Sequence, residues 1–335
     1  MAPLLELAGV RTELPLRNGA ITPVDGVSLQ VDEGETLGIV GESGSGKTMT
    51  ALTIMRLLPR GARITGGRIL FKGRDLAGLD EAEMEAVRGS EIAMIFQDPM
   101  SSLNPVYEVG WQVAEPLRLH RRLERRGLGA AAVQMLQKVG IPEAEKRATQ
   151  FPHQFSGGMR QRAMIAMGLT TEPGLLIADE PTTALDVTIQ AQILELLRRL
   201  NRELGTATIL ITHNLGVVAG MCDRVAVMYA GRVVEAGPTE AVFARPRHPY
   251  TWALLQSIPR LDAESRAPLR PIEGAPPDMT RLPPACKFQP RCPFAIERCI
   301  HEEPELLEVA PDQFARCWVT QEGTELPRDG GRSDG

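Results

Sequence analysis

The stretch Gly41-Glu42-Ser43-Gly44-Ser45-Gly46-Lys47-Thr48 decides how this chain is read. Its spacing is G-x-x-x-x-G-K-[ST], and the flanking sequence suits that pattern. The apolar run Leu37-Gly38-Ile39-Val40 predicts a buried strand leading in, and Thr50 to Leu58 predicts a helix leading out, stopped by Pro59 and Gly61. Glycines let such a loop fold back until successive backbone N–H groups converge on phosphate oxygens, and the following helix adds its positive N-terminal end. Gly41, Ser43, Gly44, Ser45 and Gly46 are the candidate cradle. Lys47 has the reach for the β- and γ-phosphates, and the Thr48 hydroxyl suits Mg²⁺. A glycine-rich turn in a non-nucleotide domain would not need this strand–loop–helix context. The stretch reads as a nucleoside triphosphate site.

Three apolar runs elsewhere end in polar residues. Ile92 to Phe96 stops abruptly at Gln97-Asp98-Pro99, where a side chain at a strand end is placed to face a ligand. Leu175-Leu176-Ile177-Ala178 delivers Asp179-Glu180-Pro181. Desolvating two carboxylates is costly, so acids at the end of a buried strand point to function. Asp179 suits Mg²⁺ through water, completing the shell begun by Thr48, and Glu180 is placed to polarise an attacking water. Ala207 to Ile211 ends at Thr212-His213-Asn214, which makes His213 a candidate contact for the γ-phosphate.

Further strands are expected at Leu4 to Val10, Val24 to Val31 and Thr65 to Phe71, with Arg224 to Tyr229 and Arg232 to Ala236 as a hairpin closing the sheet. From Ser101 to about Gln150 the composition turns to Ala, Leu, Arg, Glu and Gln, with helical spacing over Ala131 to Val139, which predicts a helical insertion. Ser156-Gly157-Gly158 opens a helix over Met159 to Leu169, with Ser156 as its cap and open backbone N–H groups beside it. The stripe Ile189, Ile193, Leu196, Leu197, Leu200 predicts a helix packed on the core.

At 335 residues the chain exceeds one average domain, and its 43% hydrophobic and 24% charged content is that of a soluble protein. A net charge of −5 gives no reason to expect nucleic acid or an anionic membrane surface as partner. No apolar run approaches the ~20 residues of a membrane span. The opening residues Met1-Ala2-Pro3-Leu4-Leu5-Glu6 lack the basic region and apolar core of a signal peptide, so a cytoplasmic protein is expected.

In this order the motifs resemble those of an ABC-type ATPase domain. Gly41 to Thr48, Gln97, Phe155-Ser156-Gly157-Gly158-Met159, Leu175 to Glu180, Ala184-Leu185-Asp186 and His213 match its Walker A loop, Q-loop, signature, Walker B strand, D-loop and switch histidine. The resemblance narrows to the dipeptide/oligopeptide permease ATPases through Phe96 to Pro105, Ser-Gly-Gly-Met-Arg-Gln-Arg, Asp179 to Val187, and His248-Pro249-Tyr250-Thr251-Trp252-Ala253-Leu254-Leu255. One position departs from the pattern, Leu14, where an aromatic ring would stack on adenine. The resemblance implies an α/β fold with a RecA-like mixed sheet core, an antiparallel β subdomain and an inserted helical subdomain over about 98–168, in an ATPase domain spanning 1–245. An extension over 246–320 and a disordered tail over 321–335 would follow.

The resemblance also implies a mechanism. Two ATPase domains sandwich two ATP molecules, each held by the Walker A loop of one and the signature Ser156, Gly157 and Gly158 of the other. Glu180 is the general base or water-orienter, His213 senses the γ-phosphate, and Gln97 joins Thr48 and Asp179 on Mg²⁺. The implied partners are a second, usually different, ATPase subunit, two transmembrane permease subunits and an extracytoplasmic solute-binding protein. The chain would then lie peripherally on the cytoplasmic face of the inner membrane. Dipeptides, oligopeptides, glutathione, nickel chelates and haem are all solutes of the wider family.

Cys222 stands alone in the ATPase body, whereas Cys286, Cys292, Cys299 and Cys317 crowd the C-terminal segment as C-x5-C-x6-C-x17-C, after a proline-rich stretch from Pro259 to Pro284. Disulfides are rare in the cytosol. A short polar segment offers little core for four buried thiols, which favours a metal site. Zinc ribbons prefer C-x2-C pairs, absent here, and an iron–sulfur cluster also takes four thiolates. The resemblance to the permease family implies a 4Fe-4S cluster on these four residues. Two rival functions stand beside the importer ATPase: a soluble ABC ATPase acting on nucleic acid or ribosomes, and a metal-binding module using ATP structurally. The absence of tandem ATPase domains and long coiled coils argues against the first, and the complete acid, glutamine and histidine set argues against the second.

Overall fold

A computed structural model describes residues 2–17, 19–98, 102–120, 125–183, 185–257 and 272–327. Pro99 to Ser101, Ala184, the first half of the expected proline-rich linker and the last eight residues of the expected tail lie outside them. In chain order the strands are β1 (Leu5–Leu16), β2 (Gly19–Val31), β3 (Thr36–Val40), β4 (Arg63–Phe71), β5 (Arg74–Asp75) and β6 (Ile92–Ile95), then β7 (Leu175–Asp179), β8 (Ala207–Ile211), β9 (Arg224–Tyr229), β10 (Arg232–Pro238), β11 (Leu307–Ala310) and β12 (Gln313–Ala315). Helices of five residues or more are α1 (Lys47–Ile54), α2 (Glu81–Val87), α3 (Val109–His120), α4 (Arg125–Lys138) and α5 (Ala144–Ala148), then α6 (Gly157–Leu169), α7 (Val187–Leu204), α8 (Leu215–Met221), α9 (Thr239–Ala244) and α10 (Pro249–Gln256). The chain divides into two compact units.

The first unit comprises Met1–Leu5, Val31–Thr36 and Leu70–Ile211. Its centre is the parallel set β6, β7 and β8, in register Ile92↔Leu175 to Ile95↔Ala178 and Leu175↔Ala207 to Asp179↔Ile211. β7 and β8 are buried along their whole length, which is why their sequences are unbroken apolar runs rather than alternating ones. α6 turns Ala163, Met164, Ile165, Ala166 and Leu169 inward, and α7 turns in Ile193, Leu196, Leu197 and Leu200. Each fully buried Leu, Ile or Met contributes roughly 1.5–3 kcal/mol. Asp186 caps α7 by accepting from the Ile189 N–H at 2.9 Å, and Gly205 ends it in the left-handed region at φ 65°. The expected helical insertion is present as α3, α4 and α5.

The second unit comprises Glu6–Gln30, Leu37–Ile69 and Thr212–Gly335. β2, β1 and β4 are hydrogen-bonded in that order. β3 runs parallel to β9, from Leu37↔Arg224 to Val40↔Val227, and β9 turns back antiparallel into β10. β10 was expected to close the sheet, and it does not: β12 pairs with it at Glu235↔Ala315 and Ala236↔Phe314, and β11 pairs with β12. Strands of three and four residues are too short to show a period of two, so the sequence pattern missed them. α1 also starts earlier and stops sooner than its apolar spacing suggested. Arg56 adopts a left-handed φ of 51° and the Leu57 N–H returns to the Leu52 carbonyl at 2.9 Å, a hydrogen-bonded stop needing no glycine.

Candidate nucleotide site

In the second unit the loop between β3 and α1 has the backbone that its glycines foretold. Gly41 sits at φ 153° and Gly46 at φ 105°. A Cβ on Gly41 would run into the Met228 carbonyl, and one on Gly46 into the Pro23 carbonyl, so only glycine fits either place. The loop is also tied from behind: the Gly231 N–H donates to the Ser45 carbonyl at 2.9 Å, and the Asp25 N–H donates to the Gly231 carbonyl at 2.8 Å. Lys47 folds back along the loop, its Nζ donating to the Gly41 carbonyl at 2.8 Å and the Glu42 carbonyl at 2.9 Å. Ser43, Gly44 and Thr48 are exposed. Ser45 Oγ is buried without a hydrogen-bond partner, an orphan that a phosphate oxygen would satisfy. A triphosphate therefore fits here.

His213 belongs to the same unit. It is exposed, and the preceding Thr212 N–H donates to the Ile39 carbonyl of β3 at 3.2 Å, so the histidine follows a residue tied to the strand that feeds the phosphate loop. The Asn214 side chain then caps α8 by accepting from Gly216 and Val217.

Asp179 and Glu180 end β7 in the first unit. Asp179 is buried, at 2% exposure. Glu180 takes a left-handed φ of 46°, uncommon for a residue with a side chain. Its N–H donates to the Ile211 carbonyl at 2.9 Å, which holds that turn. Glu180 Oε2 accepts from Gln97 Nε2 at 3.0 Å and from Thr183 Oγ1 at 2.8 Å. The sequence singled out Gln97 but gave no signal for Thr183, whose role depends on the turn that brings its hydroxyl back. The side chains meant for Mg²⁺, from Thr48, Asp179 and Gln97, all offer oxygen, the donor type that hard cation prefers.

Ser156 caps α6 as expected, accepting from the Met159 N–H at 3.3 Å. A Cβ on Gly158 would come within 3.0 Å of Ile189 Cγ2, so this glycine lets α6 and α7 approach closely. Gly157 has more room, with Leu185 Cδ2 at 3.7 Å from such a Cβ.

The C-terminal segment supplies two contacts that the sequence did not reveal. Arg291 grips the phosphate-loop residue Glu42 with both arms, Nη1 to Oε2 at 2.7 Å and Nη2 to Oε1 at 3.1 Å. The Tyr250 hydroxyl accepts the Glu42 N–H at 2.8 Å. The available signal was Glu42 itself, a carboxylate inside a loop built to receive anions.

The same segment overturns the expected iron–sulfur cluster. Among the described residues no group of three or more His, Cys, Asp or Glu side chains is arranged to hold a metal ion. Cys222, Cys286, Cys292, Cys299 and Cys317 are all free. The physical reason is that the segment has a core after all. Ala285, Phe288, Cys299, Ala315, Cys317 and Val319 are buried, and Phe288 packs against Tyr229, Tyr250 and His248 at ring-centroid distances of 5.2, 5.4 and 5.8 Å. Thiols serve there as small apolar side chains. Burial pushes the Cys286 thiol up to about 11 and Cys292 to about 12, and raises Cys317, as apolar surroundings do.

A phosphate loop of this build, with a parallel strand elsewhere ending in two acids and a helix opened by Ser-Gly-Gly, defines an ATP-binding cassette. Family models bear this out: residues 24–183 match the ABC transporter model and 234–299 match the C-terminal region of oligopeptide/dipeptide transporters. The chain is 51% identical over 315 residues to the oligopeptide transport ATP-binding protein OppD of Escherichia coli, covering 94% of this chain and 93% of that one. It is 50% identical over 317 residues to OppD of Bacillus subtilis, covering 94% and 88%. Among solved structures it resembles the dimeric cassette MJ0796 in a post-hydrolysis state bound to ADP and Pi, with a TM-score of 0.63, 28% identity and coverage of 70% of this chain and 98% of that one. A similar likeness holds to cbiO1 of Clostridium perfringens, with a TM-score of 0.63, 28% identity and coverage of 73% and 92%. The chain belongs to the ATP-binding subunits of ABC transporters, in the oligopeptide/dipeptide group.

Proposed function

We propose that this chain hydrolyses ATP as one half of an ATPase dimer that drives uptake of di- or oligopeptides. The observation that carries the reading is the phosphate cradle: backbone fixed by Gly41 and Gly46, Lys47 folded along the loop, and an unsatisfied Ser45 hydroxyl. The naming of relatives for oligopeptide transport, at about half identity over most of both chains, supports the solute class.

In this reading Gly41, Ser43, Gly44, Ser45 and Gly46 turn N–H groups toward the phosphates, and Lys47 leaves its carbonyl partners for the β- and γ-oxygens. Thr48, Asp179 and Gln97 hold Mg²⁺, which when bound offsets charge developing on the phosphates. Glu180 orients the attacking water and accepts its proton. His213 contacts the γ-phosphate. Ser156, Gly157 and Gly158 complete the partner subunit's site, since one chain carries one loop and one signature. Residues 1–245 form the ATPase body and 246–320 the extension. The partners are a second ATPase subunit, two membrane permease subunits and an extracytoplasmic solute-binding protein. No helix among the described residues is long and apolar enough to cross a membrane, consistent with peripheral attachment on the cytoplasmic side.

Co-purification of the chain with its permease subunits, followed by ATPase and uptake assays in proteoliposomes, tests the proposal. Peptide-stimulated ATP hydrolysis coupled to peptide uptake is expected. A chain that hydrolyses ATP fully without partners, or a complex indifferent to peptides, would overturn it.

A further inference from the structure

Glu42 is an odd residue for its place. It stands second in the phosphate loop, where a carboxylate would repel the triphosphate the loop is shaped to receive. The structure deals with it from three directions. Its carboxylate is gripped by both arms of Arg291, whose side chain is only 6% exposed. Its N–H is taken by the Tyr250 hydroxyl at 2.8 Å, and its carbonyl receives Lys47 Nζ at 2.9 Å.

Arg291 is itself held. Its Nε donates to the Glu273 carbonyl at 3.0 Å, and its guanidinium lies 5.9 Å from the Tyr229 ring centre. Tyr229 in turn packs against Tyr250 at 4.7 Å and edge-on to Phe288 at 5.2 Å. A planar two-armed contact from a fixed guanidinium sets both the charge and the direction of a carboxylate, which a lysine could not do.

We infer that Arg291 is a positioning residue for nucleotide: it neutralises the Glu42 carboxylate and, with Tyr250 on the Glu42 N–H, holds the phosphate loop open to ATP, so that ATP affinity depends on the C-terminal region. This rests on the reading of the loop as the ATP site. Loss of Arg291 leaves a bare carboxylate beside the phosphates and frees the loop to shift. Affinity falls, while the groups that perform hydrolysis stay in place.

The test measures Mg-ATP affinity of the full chain, and KM and kcat of the assembled complex, for wild type, Arg291→Gln, Glu42→Gln and the double variant. Arg291→Gln is expected to weaken ATP binding about tenfold or more, with kcat at saturating ATP changed by less than about threefold. Removing the repelling carboxylate as well should bring the double variant back to within about threefold of wild type. The Arg291→Gln deficit should shrink as salt is raised, because screening weakens the repulsion. If Arg291→Gln fails to fold, Tyr250→Phe, which deletes one hydroxyl, should still weaken binding several-fold. Wild-type affinity in Arg291→Gln or in Tyr250→Phe, or a double variant as weak as the single one, would overturn the inference. Lys47→Ala separates the two readings. If Lys47→Ala weakens binding while Arg291→Gln keeps the wild-type affinity, only this inference falls. If wild type binds no Mg-ATP, the site reading falls with it.

Discussion

Gln97 Nε2 donates to Glu180 Oε2 at 3.0 Å, joining the residues that follow two parallel neighbouring strands, β6 and β7. Thr183 Oγ1 adds a second donor to the same oxygen at 2.8 Å, and the left-handed φ of 46° aims the side chain. A carboxylate held this way has a fixed position but a changeable set of partners. Under the role proposed for Glu180, any movement of Gln97 would change what that carboxylate can accept and so tie the proposed hydrolytic residue to whatever moved it.

Glu180→Gln should keep ATP binding and lose most turnover, since general-base assistance is worth roughly 10²–10⁴-fold. Equilibrium nucleotide binding and steady-state ATPase assays of the assembled complex check this. Turnover near wild type would remove Glu180 from the role.

Lys47→Ala should act on binding. Its Nζ touches the Gly41 and Glu42 carbonyls of its own loop, so the fold should survive while ATP affinity drops by about tenfold or more, as expected when a charged hydrogen bond to phosphate is lost. Calorimetric titration with Mg-ATP alongside thermal melting distinguishes the two effects.

If each site is completed by a partner's signature, as proposed, the lone chain should hydrolyse ATP slowly and in proportion to its own concentration squared at low occupancy. Adding the second ATPase and permease subunits should raise the rate. Activity independent of concentration in a strict monomer would refute the shared site.

Two buried groups near the start of α10 make a prediction about pH. Burial lifts the Glu235 carboxyl to about 7 from 4.5 and lowers His248 to about 3 from 6.5. Alone, the raised acid gives stability that is full below 4.5 and lost as pH climbs through 7. The lowered base gives the opposite trend, with stability lost as pH falls below 6.5. Between 4.5 and 6.5 folding releases one proton from His248 and binds one at Glu235, so the two cancel. His248 Nδ1 accepts the Tyr250 N–H at 3.0 Å, a cap that asparagine can replace. His248→Asn should therefore become more stable relative to wild type as pH falls across that window, by up to about 1.4 kcal/mol per pH unit. Urea unfolding at several pH values measures it, and parallel curves would rule it out.

The motifs that were legible in sequence are those whose partners lie within a few residues. Gly41 to Thr48 carries its own glycines and lysine, Ser156 caps a helix that starts beside it, and Asp179-Glu180 ends an unbroken apolar run that reads as a buried strand. What escaped was long-range or short-lived. Arg291 and Glu42 are 249 residues apart, and nothing in either neighbourhood names the other. β11 and β12 are too brief to show alternation, and without them the C-terminal segment looked core-poor, which made four crowded cysteines look like ligands rather than packing.

The pairing of β12 with β10 has a practical consequence for anyone trimming this protein to its ATPase body. A chain cut after Arg245 would strip the cover from Glu235 and Ala236 and remove Gln313, whose Nε2 donates to Glu235 Oε1 at 2.8 Å. The bared strand would offer an open row of N–H and C=O groups to any passing copy, the usual template for edge-to-edge aggregation. Poor solubility of such a fragment would then report on a missing neighbour and not on a faulty nucleotide fold.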